Sequence, residues 1–452
     1  MHRVAVRINV VFLAGVLSLA ATAHAQSYKV LGYFNTQPSW PFGEAIAQSL
    51  GGSMLTTSGD DPSDLNGVAF RVETSGAMTV LHQFDRATGD LPASGLTLGR
   101  DGEFYGTTMF GGINQAGSVF RMTPDGIVTT LHEFTGGDEN HPQAPPIQSL
   151  YGDFYGTASG DDTHPGIVYK IDSSGIYTVL HIFNGQDGSD PVGPLVQDPT
   201  NFWFYGTTEQ GGANNLGTIF RISSTGQFEV LYNFDLAHGA YPTTLMQASD
   251  GNFYGVTYYG GNQGVNGVLF RLKPDHEFTV LHYFTGGSDG SGPIGNLVQG
   301  SDGNLYGTSG ALFRVDLATG AFKVLHSFVQ STGSAPFALI QHTDGFFYGD
   351  TDGGGYFNGT YYSGVFYRYD AGLSPFITYL DCYGRVGETV TILGEGFTSG
   401  TVVLFNGVPA QVTEVEPTFL KAIVPVGATT GYLTATTTKG ILRSNKIFRV
   451  RP

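Results

Sequence analysis

A tetrapeptide that returns about every fifty residues constrains this chain more than any other feature. Phe104-Tyr105-Gly106-Thr107 recurs as Phe154-Tyr155-Gly156-Thr157, Phe204-Tyr205-Gly206-Thr207, Phe253-Tyr254-Gly255, Leu305-Tyr306-Gly307-Thr308 and Phe347-Tyr348-Gly349. Met54-Leu55-Thr56-Thr57 is a weaker first copy. The tyrosines lie 50, 50, 49, 52 and 42 residues apart. A fixed period of this length marks stacked modules, each unable to bury its apolar face alone.

Three further elements keep the same period. A Leu-x-Gln-like element precedes each tetrapeptide, as at Leu195–Gln197 and Leu297–Gln299. Glycine, two apolar residues, an aromatic and a base follow it, from Gly67–Arg71 to Gly364–Arg368. A Val-Leu-His-x-Phe element closes the unit, as at Val179–Phe183 and Val280–Phe284. Each is short, β-branched or aromatic, and bounded by Gly, Asp or Asn, which is the grammar of strands. Four strands in such a unit predict a propeller blade.

The ends set the blade number. The last unit stops after Tyr367-Arg368-Tyr369 without its fourth element, and the missing copy stands at the other end as Val30-Leu31-Gly32-Tyr33-Phe34. If segment 28–34 completes the last blade, the ring closes and two exposed sheet edges disappear. The expected fold is therefore all-β, with a seven-bladed β-propeller over residues 27–371. We name the strands of a blade a to d in chain order. The a–b and c–d turns then share one face. They are tight Asp-Gly or Ser-Gly pairs, such as Asp101-Gly102 and Ser174-Gly175, that tolerate positive φ. The b–c and d–a loops share the other face and carry the length and variety expected of binding loops on a rigid scaffold.

Beyond Gly372 the pattern changes. Leu373-Ser374-Pro375 reads as a linker, and 374–452 shows alternating strands at 389–393, 401–405, 410–415, 420–424, 431–436 and 446–450. This is the pattern of a small β-sandwich. At the other end, residues 1–25 read as a secretory signal: Arg3 and Arg7, an apolar stretch, then Ala23-His24-Ala25 as the cleavage site. Its removal takes two arginines and no acid, so the formal charge moves from −17 to −19. Such a chain lacks the basic face that nucleic acid requires, and no other apolar run is long enough to span a membrane. The expected location is extracellular, cell-surface or periplasmic.

Candidate sites follow from the loop face. Phe110, Tyr258, Tyr259, Tyr356 and Phe357 could stack on sugar rings or pack against a partner, with Tyr361 and Tyr362 nearby. Asp60, Asp61, Asp161 and Asp162 could hold calcium through oxygen, but no Asp-x-Asp-x-Asp-Gly loop is present, and they read first as turn acids. Apart from such a structural calcium, no metal or cofactor is expected. The histidines His82, His132, His181, His282 and His326 occur one per blade, too far apart for a shared metal, and read as structural. The base that follows strand c reads as a repeated ion pair or a solvated position. Gly286-Gly287-Ser288-Asp289-Gly290 fits G-x-S-x-G without the strand-to-helix elbow that motif needs. Cys382 is the single cysteine, which rules out an internal disulfide, and it reads as a core residue. No catalytic residue is assigned.

Two resemblances add to this reading. Gly387–Phe397, Val403–Ala410, Val424–Gly431 and Phe448 resemble an IPT/TIG domain, which implies an immunoglobulin-like fold. Asp250–Gly255, Gly211–Phe220 and Thr279–Phe284 resemble the Gloeobacter/Verrucomicrobia tandem repeat of exported "choice-of-anchor" proteins. That resemblance implies a surface or secreted protein and carries no catalytic residue. The expected function is non-catalytic binding or adhesion, with the long b–c and d–a loops facing an extracellular polysaccharide or surface protein. The alternatives are a propeller-based polysaccharide lyase or glycosidase, and a structural envelope component.

Overall fold

The computed structural model describes residues 26–34, 45–59, 67–92, 94–137, 140–160, 163–262, 264–357, 360–361 and 364–451. The expected signal segment, residues 1–25, and Asp60, Asp61, Asp161, Asp162 and Tyr362 lie outside these residues. Of Tyr356, Phe357 and Tyr361 only the backbone is described.

Seven four-stranded sheets form the propeller. Six are consecutive in sequence. Blade 2, for example, comprises Thr97–Leu98, Phe104–Thr108, Ser118–Met122 and Val128–Glu133. The seventh joins Ser334–Gln341, Phe347–Gly353 and Val365–Asp370 to the N-terminal strand Ser27–Tyr33. That outer pair is antiparallel, with Tyr28 opposite Tyr369 and Val30 opposite Tyr367, and its register shifts between Val30 and Gly32. The c–d pair of blade 3 shifts in the same place, where Val179 faces Tyr169 and His181 faces Val168. Phe34 N–H donates to the Gly364 carbonyl at 2.9 Å, as Phe134 N–H does to Gly117 at 3.0 Å. The N-terminal strand thus reproduces the local geometry of a strand d, bulge included.

Each repeated residue has a physical task. In blades 2, 5, 6 and 7 the Tyr of the tetrapeptide donates its hydroxyl to the turn Asp four residues earlier, as Tyr105 to Asp101 and Tyr254 to Asp250, both at 2.7 Å. The glycine after it leaves room for the strand-c ring, since a Cβ at Gly106 would stand 2.7 Å from Phe120 Cζ. The Gln of strand a accepts from the turn of the preceding blade. Gln197 Oε1 takes Leu150 N–H at 2.8 Å, and Gln48 Oε1 takes Thr343 N–H at 3.1 Å across the closing seam.

Four of the five repeat histidines are inter-blade stacks; His82 instead meets Phe84 of its own blade edge-on at 4.8 Å. His132 lies on Tyr177 at 3.6 Å, His181 on Phe228 at 3.8 Å and His282 on Phe322 at 3.6 Å, all nearly parallel. Tyr232 takes the place of histidine in blade 4, on Phe278 at 3.9 Å. Most strand-c bases meet an acid of their own blade, such as Lys170 with Asp153 at 2.7 Å and Arg121 with Glu103 at 3.4 Å.

The C-terminal module packs two four-stranded sheets around Ile392, Phe405, Leu420 and Phe448. Strands Thr389–Leu393, Val402–Phe405, Gln411–Glu416, Phe419–Ile423 and Leu433–Thr437 lie close to the expected ones. The last is Arg449–Arg451, and it pairs in parallel with Tyr383–Arg385. Cys382 is partly buried against this core, and burial pushes its thiol pKa up. No helix among the described residues is long and apolar enough to cross a membrane.

Candidate functional site

The faces of the propeller differ in what covers them. The sandwich packs on the short-turn face, across the a–b turns of five successive blades. Phe376 N–H donates to the Thr343 carbonyl of blade 7 at 3.0 Å. Thr343 Oγ1 donates to Glu395 at 3.1 Å, and Thr418 Oγ1 donates to the Leu50 carbonyl of blade 1 at 2.6 Å. Arg100 of blade 2 forms an ion pair with Asp381. Arg451 lies over Tyr151 of blade 3 and Phe202 of blade 4, 5.3 and 5.0 Å from their ring centroids. His342 is buried beside this junction, with Nε2 on the Gly52 carbonyl at 2.8 Å. Burial opposes its charge, yet Asp344, the Gly52 carbonyl and Glu395 outweigh burial and raise its pKa.

The long-loop face carries no contact with the sandwich among these bonds. Its loops brace one another: Phe110 exchanges backbone bonds with Asp90 at 2.8 and 3.0 Å, and Gln210 with Ser189 at 2.9 and 3.0 Å. At the centre, where the strands a begin, a cavity of about 170 Å³ is lined by Ala45, Pro145, Pro194, Thr243, Leu245 and Asn296. Thr243, Thr244 and Asn296 supply its polar side chains.

Among the described rings, the predicted aromatic residues do not form one cluster. Tyr258 and Tyr259 close strand b of blade 5, where they are 48% and 36% exposed. Leu236 and Val265, 51% and 47% exposed, lie in loops at the same end of blade 5, and Tyr241 stands 6.3 Å from Tyr259. Tyr258 leans toward blade 6, where a Cβ at Gly292 would approach its ring to 2.9 Å. Blade 6 itself has only Ser309-Gly310 as its b–c connection, and Ser309 is pinned by donating to the Asp289 carbonyl at 2.6 Å. A low step therefore lies beside Tyr258. On its far side the blade 7 loop folds back as a hairpin, pairing Tyr356 with Tyr361 and Phe357 with Thr360. Phe110 stands apart on blade 2, edge-on to His141 at 4.7 Å.

The tetrapeptide pattern breaks once in a way that matters chemically. Asp350 takes the place filled by Thr107, Thr157, Thr207 and Thr308 in other blades. Its carboxyl is fully buried. Oδ1 accepts Ala338 N–H at 2.9 Å, while Oδ2 has no hydrogen-bond partner. Burial pushes its pKa up to about 8, and burial pushes that of Asp352 on the same strand up to about 6. Among the described residues no group of three His, Cys, Asp or Glu is arranged to hold a metal ion.

Comparison with known proteins fits this architecture. The profile of the Gloeobacter/Verrucomicrobia repeat matches residues 14–163 and 99–310, more than half of the chain. The chain belongs to the Gloeobacter/Verrucomicrobia repeat family. This repeat protein also carries an IPT/TIG domain, matched over residues 375–447. No curated protein matches it in sequence. Among solved structures it is similar to a catalytically inactive virginiamycin B lyase from Staphylococcus aureus with quinupristin, at a TM-score of 0.54 and 16% identity. That likeness covers 76% of this chain and 99% of the lyase, and it is one of fold alone. A second similarity is to the extracellular domain assigned to a hybrid two-component system of B. thetaiotaomicron, at a TM-score of 0.49 and 9% identity. It covers 94% of this chain and 58% of that one, and is too loose to carry weight.

Proposed function

We propose that this repeat protein is an exported, non-catalytic binding or adhesion protein whose long-loop face meets an extracellular glycan or surface protein. One observation carries the reading: the IPT/TIG domain covers the short-turn face, and the long-loop face keeps exposed aromatic rings. Tyr258 and Tyr259 with Leu236 and Val265 expose apolar surface at one end of blade 5, beside the step left by the short blade 6 connection. Clustered apolar side chains on a braced rim mark a contact surface rather than scattered exposure. Ring faces there can stack on sugars or anchor a protein partner. The test is a glycan array and a cell-wall pull-down with the wild-type chain and a Tyr258→Ala, Tyr259→Ala double variant. Binding by the wild type that is lost in the double variant supports the assignment, and unchanged binding rejects it.

A second reading draws on Asp350. A buried carboxyl with one unpaired oxygen and a pKa of about 8 is the state a general acid needs at neutral pH. In that reading the propeller is a polysaccharide lyase or glycosidase acting near the ring centre. Turnover of a polysaccharide abolished by Asp350→Asn would favour it over binding alone.

A further inference from the structure

A cleft opens between the propeller and the IPT/TIG domain on the face opposite the loops. It encloses about 450 Å³, within the range of small-ligand sites, which favour such junctions. Its chemistry is unusual for this chain. With 38 acids against 21 bases, arginine is scarce, yet Arg100, Arg385 and Arg451 all line this cleft.

Two carboxylates share the cleft, one ion-paired and one held by a backbone donor. Asp381 pairs with Arg100, which also donates to the Ser149 carbonyl at 2.9 Å. Glu388 accepts Arg385 N–H at 2.7 Å. Among the described residues neither Arg385 nor Arg451 has a carboxylate within ion-pair distance. Arg451 is held instead by rings, 3.6 Å from the centroid of Tyr383, a contact that fixes a guanidinium without neutralising it. Its Nη2 has no hydrogen-bond partner. Tyr151, 63% exposed, lies at the edge of the cleft, with Arg451 5.3 Å from its ring centroid and the rest of the ring facing solvent.

We propose that this cleft binds a uronic-acid residue of an acidic polysaccharide, its carboxylate held by Arg385 and Arg451 and its sugar ring stacked on Tyr151. A guanidinium presents paired donors that match a planar carboxylate. An aromatic face beside it suits the apolar side of a pyranose rather than a bare small anion. The site is separate from the long-loop face, so either assignment can fail without the other.

The test is isothermal titration of the full chain with trigalacturonate, its methyl ester and succinate. Trigalacturonate should bind, at least tenfold more tightly than the ester, and its affinity should fall with added salt. Arg385→Gln, in the IPT/TIG domain, and Tyr151→Ala, in the propeller, should each weaken binding about tenfold while circular dichroism stays unchanged. No binding by the wild type, equal binding of acid and ester, or no effect of either variant would overturn the proposal. So would succinate binding as tightly as the trimer, because the ring on Tyr151 would then contribute nothing.

Discussion

Tyr28 of the N-terminal strand lies flat on His326 of blade 6, with ring centroids 3.9 Å apart and planes 4° from parallel. Its hydroxyl donates to the Thr332 carbonyl at 2.7 Å. Tyr177, Phe228 and Phe322 occupy the same position on His132, His181 and His282. The first strand of the chain therefore fills the place of a seventh strand d, and residues nearly 300 apart in sequence close the ring. Truncating either ring should be costly. Tyr28→Ala and His326→Ala should each lose about 2–4 kcal/mol, with a coupling of about 0.5–1.5 kcal/mol in a double-mutant cycle. Tyr28→Phe should lose only the hydroxyl bond, about 1 kcal/mol. Denaturant unfolding followed by tyrosine fluorescence checks this, and additive losses would mean the two rings act independently.

The repeat histidines should make stability depend on pH. Burial lowers the pKa of His82, His181 and His326 below 6.5. A folded-state pKa below the unfolded one means that the unfolded chain binds more protons in the window between them. Stability should therefore fall as pH drops through about 6.5. His342, whose pKa is raised, works the other way: its contribution is present below 6.5 and lost as pH rises through its folded pKa. Because Asp350 and His342 act with the opposite sign, the histidine contribution is read as a difference: His326→Phe should gain stability relative to the wild type as pH falls from 8 to 5 in thermal melts. A difference between the two that does not change with pH would contradict this.

Asp350 offers a test of opposite sign. Its carboxyl is protonated in the folded chain up to about pH 8, whereas an unfolded aspartate ionises near 3.8. The unfolded state thus gains stability from ionisation across that window, and Asp350→Asn removes the gain. The variant should melt higher than the wild type at pH 8 and lose most of that advantage near pH 4. A variant less stable at every pH would show that the carboxylate form has a partner.

At the loop face, effects should separate by blade. Tyr258 is half exposed, so Tyr258→Ala should change stability by no more than about 0.5 kcal/mol yet weaken ligand binding at least tenfold. Phe110→Ala, three blades away, should leave binding within about twofold. Equal losses from both would spread the contact around the whole rim.

Much of this architecture was legible in the sequence because each blade restates it. Seven copies of strand c, and a strand d displaced to residues 30–34, are enough to imply a closed ring. The repeated histidine was readable as structural from its spacing, although the stacking partner, the first residue of the next strand d, was not. The docking of the IPT/TIG domain on the short-turn face was missed. Its contacts come from residues that occur once, such as Arg100, Leu50 and Thr418, and no period reveals them. A signal was present all the same. Tyr151 stands where blades 2, 5, 6 and 7 carry a turn aspartate, and Asp350 stands where most blades carry threonine. In a repeat protein the departures from the repeat mark the places where the surroundings change.

The central claim is ring closure by the N-terminal strand, and a cross-link tests it most directly. Lys29 lies opposite Arg368 in the outer pair of blade 7. A Lys29→Cys, Arg368→Cys variant, with Cys382 replaced by serine, should form an intramolecular disulfide under mild oxidation. It should migrate as a compact monomer and melt higher than its reduced form. Cross-links only between chains, or none at all, would contradict the closed ring.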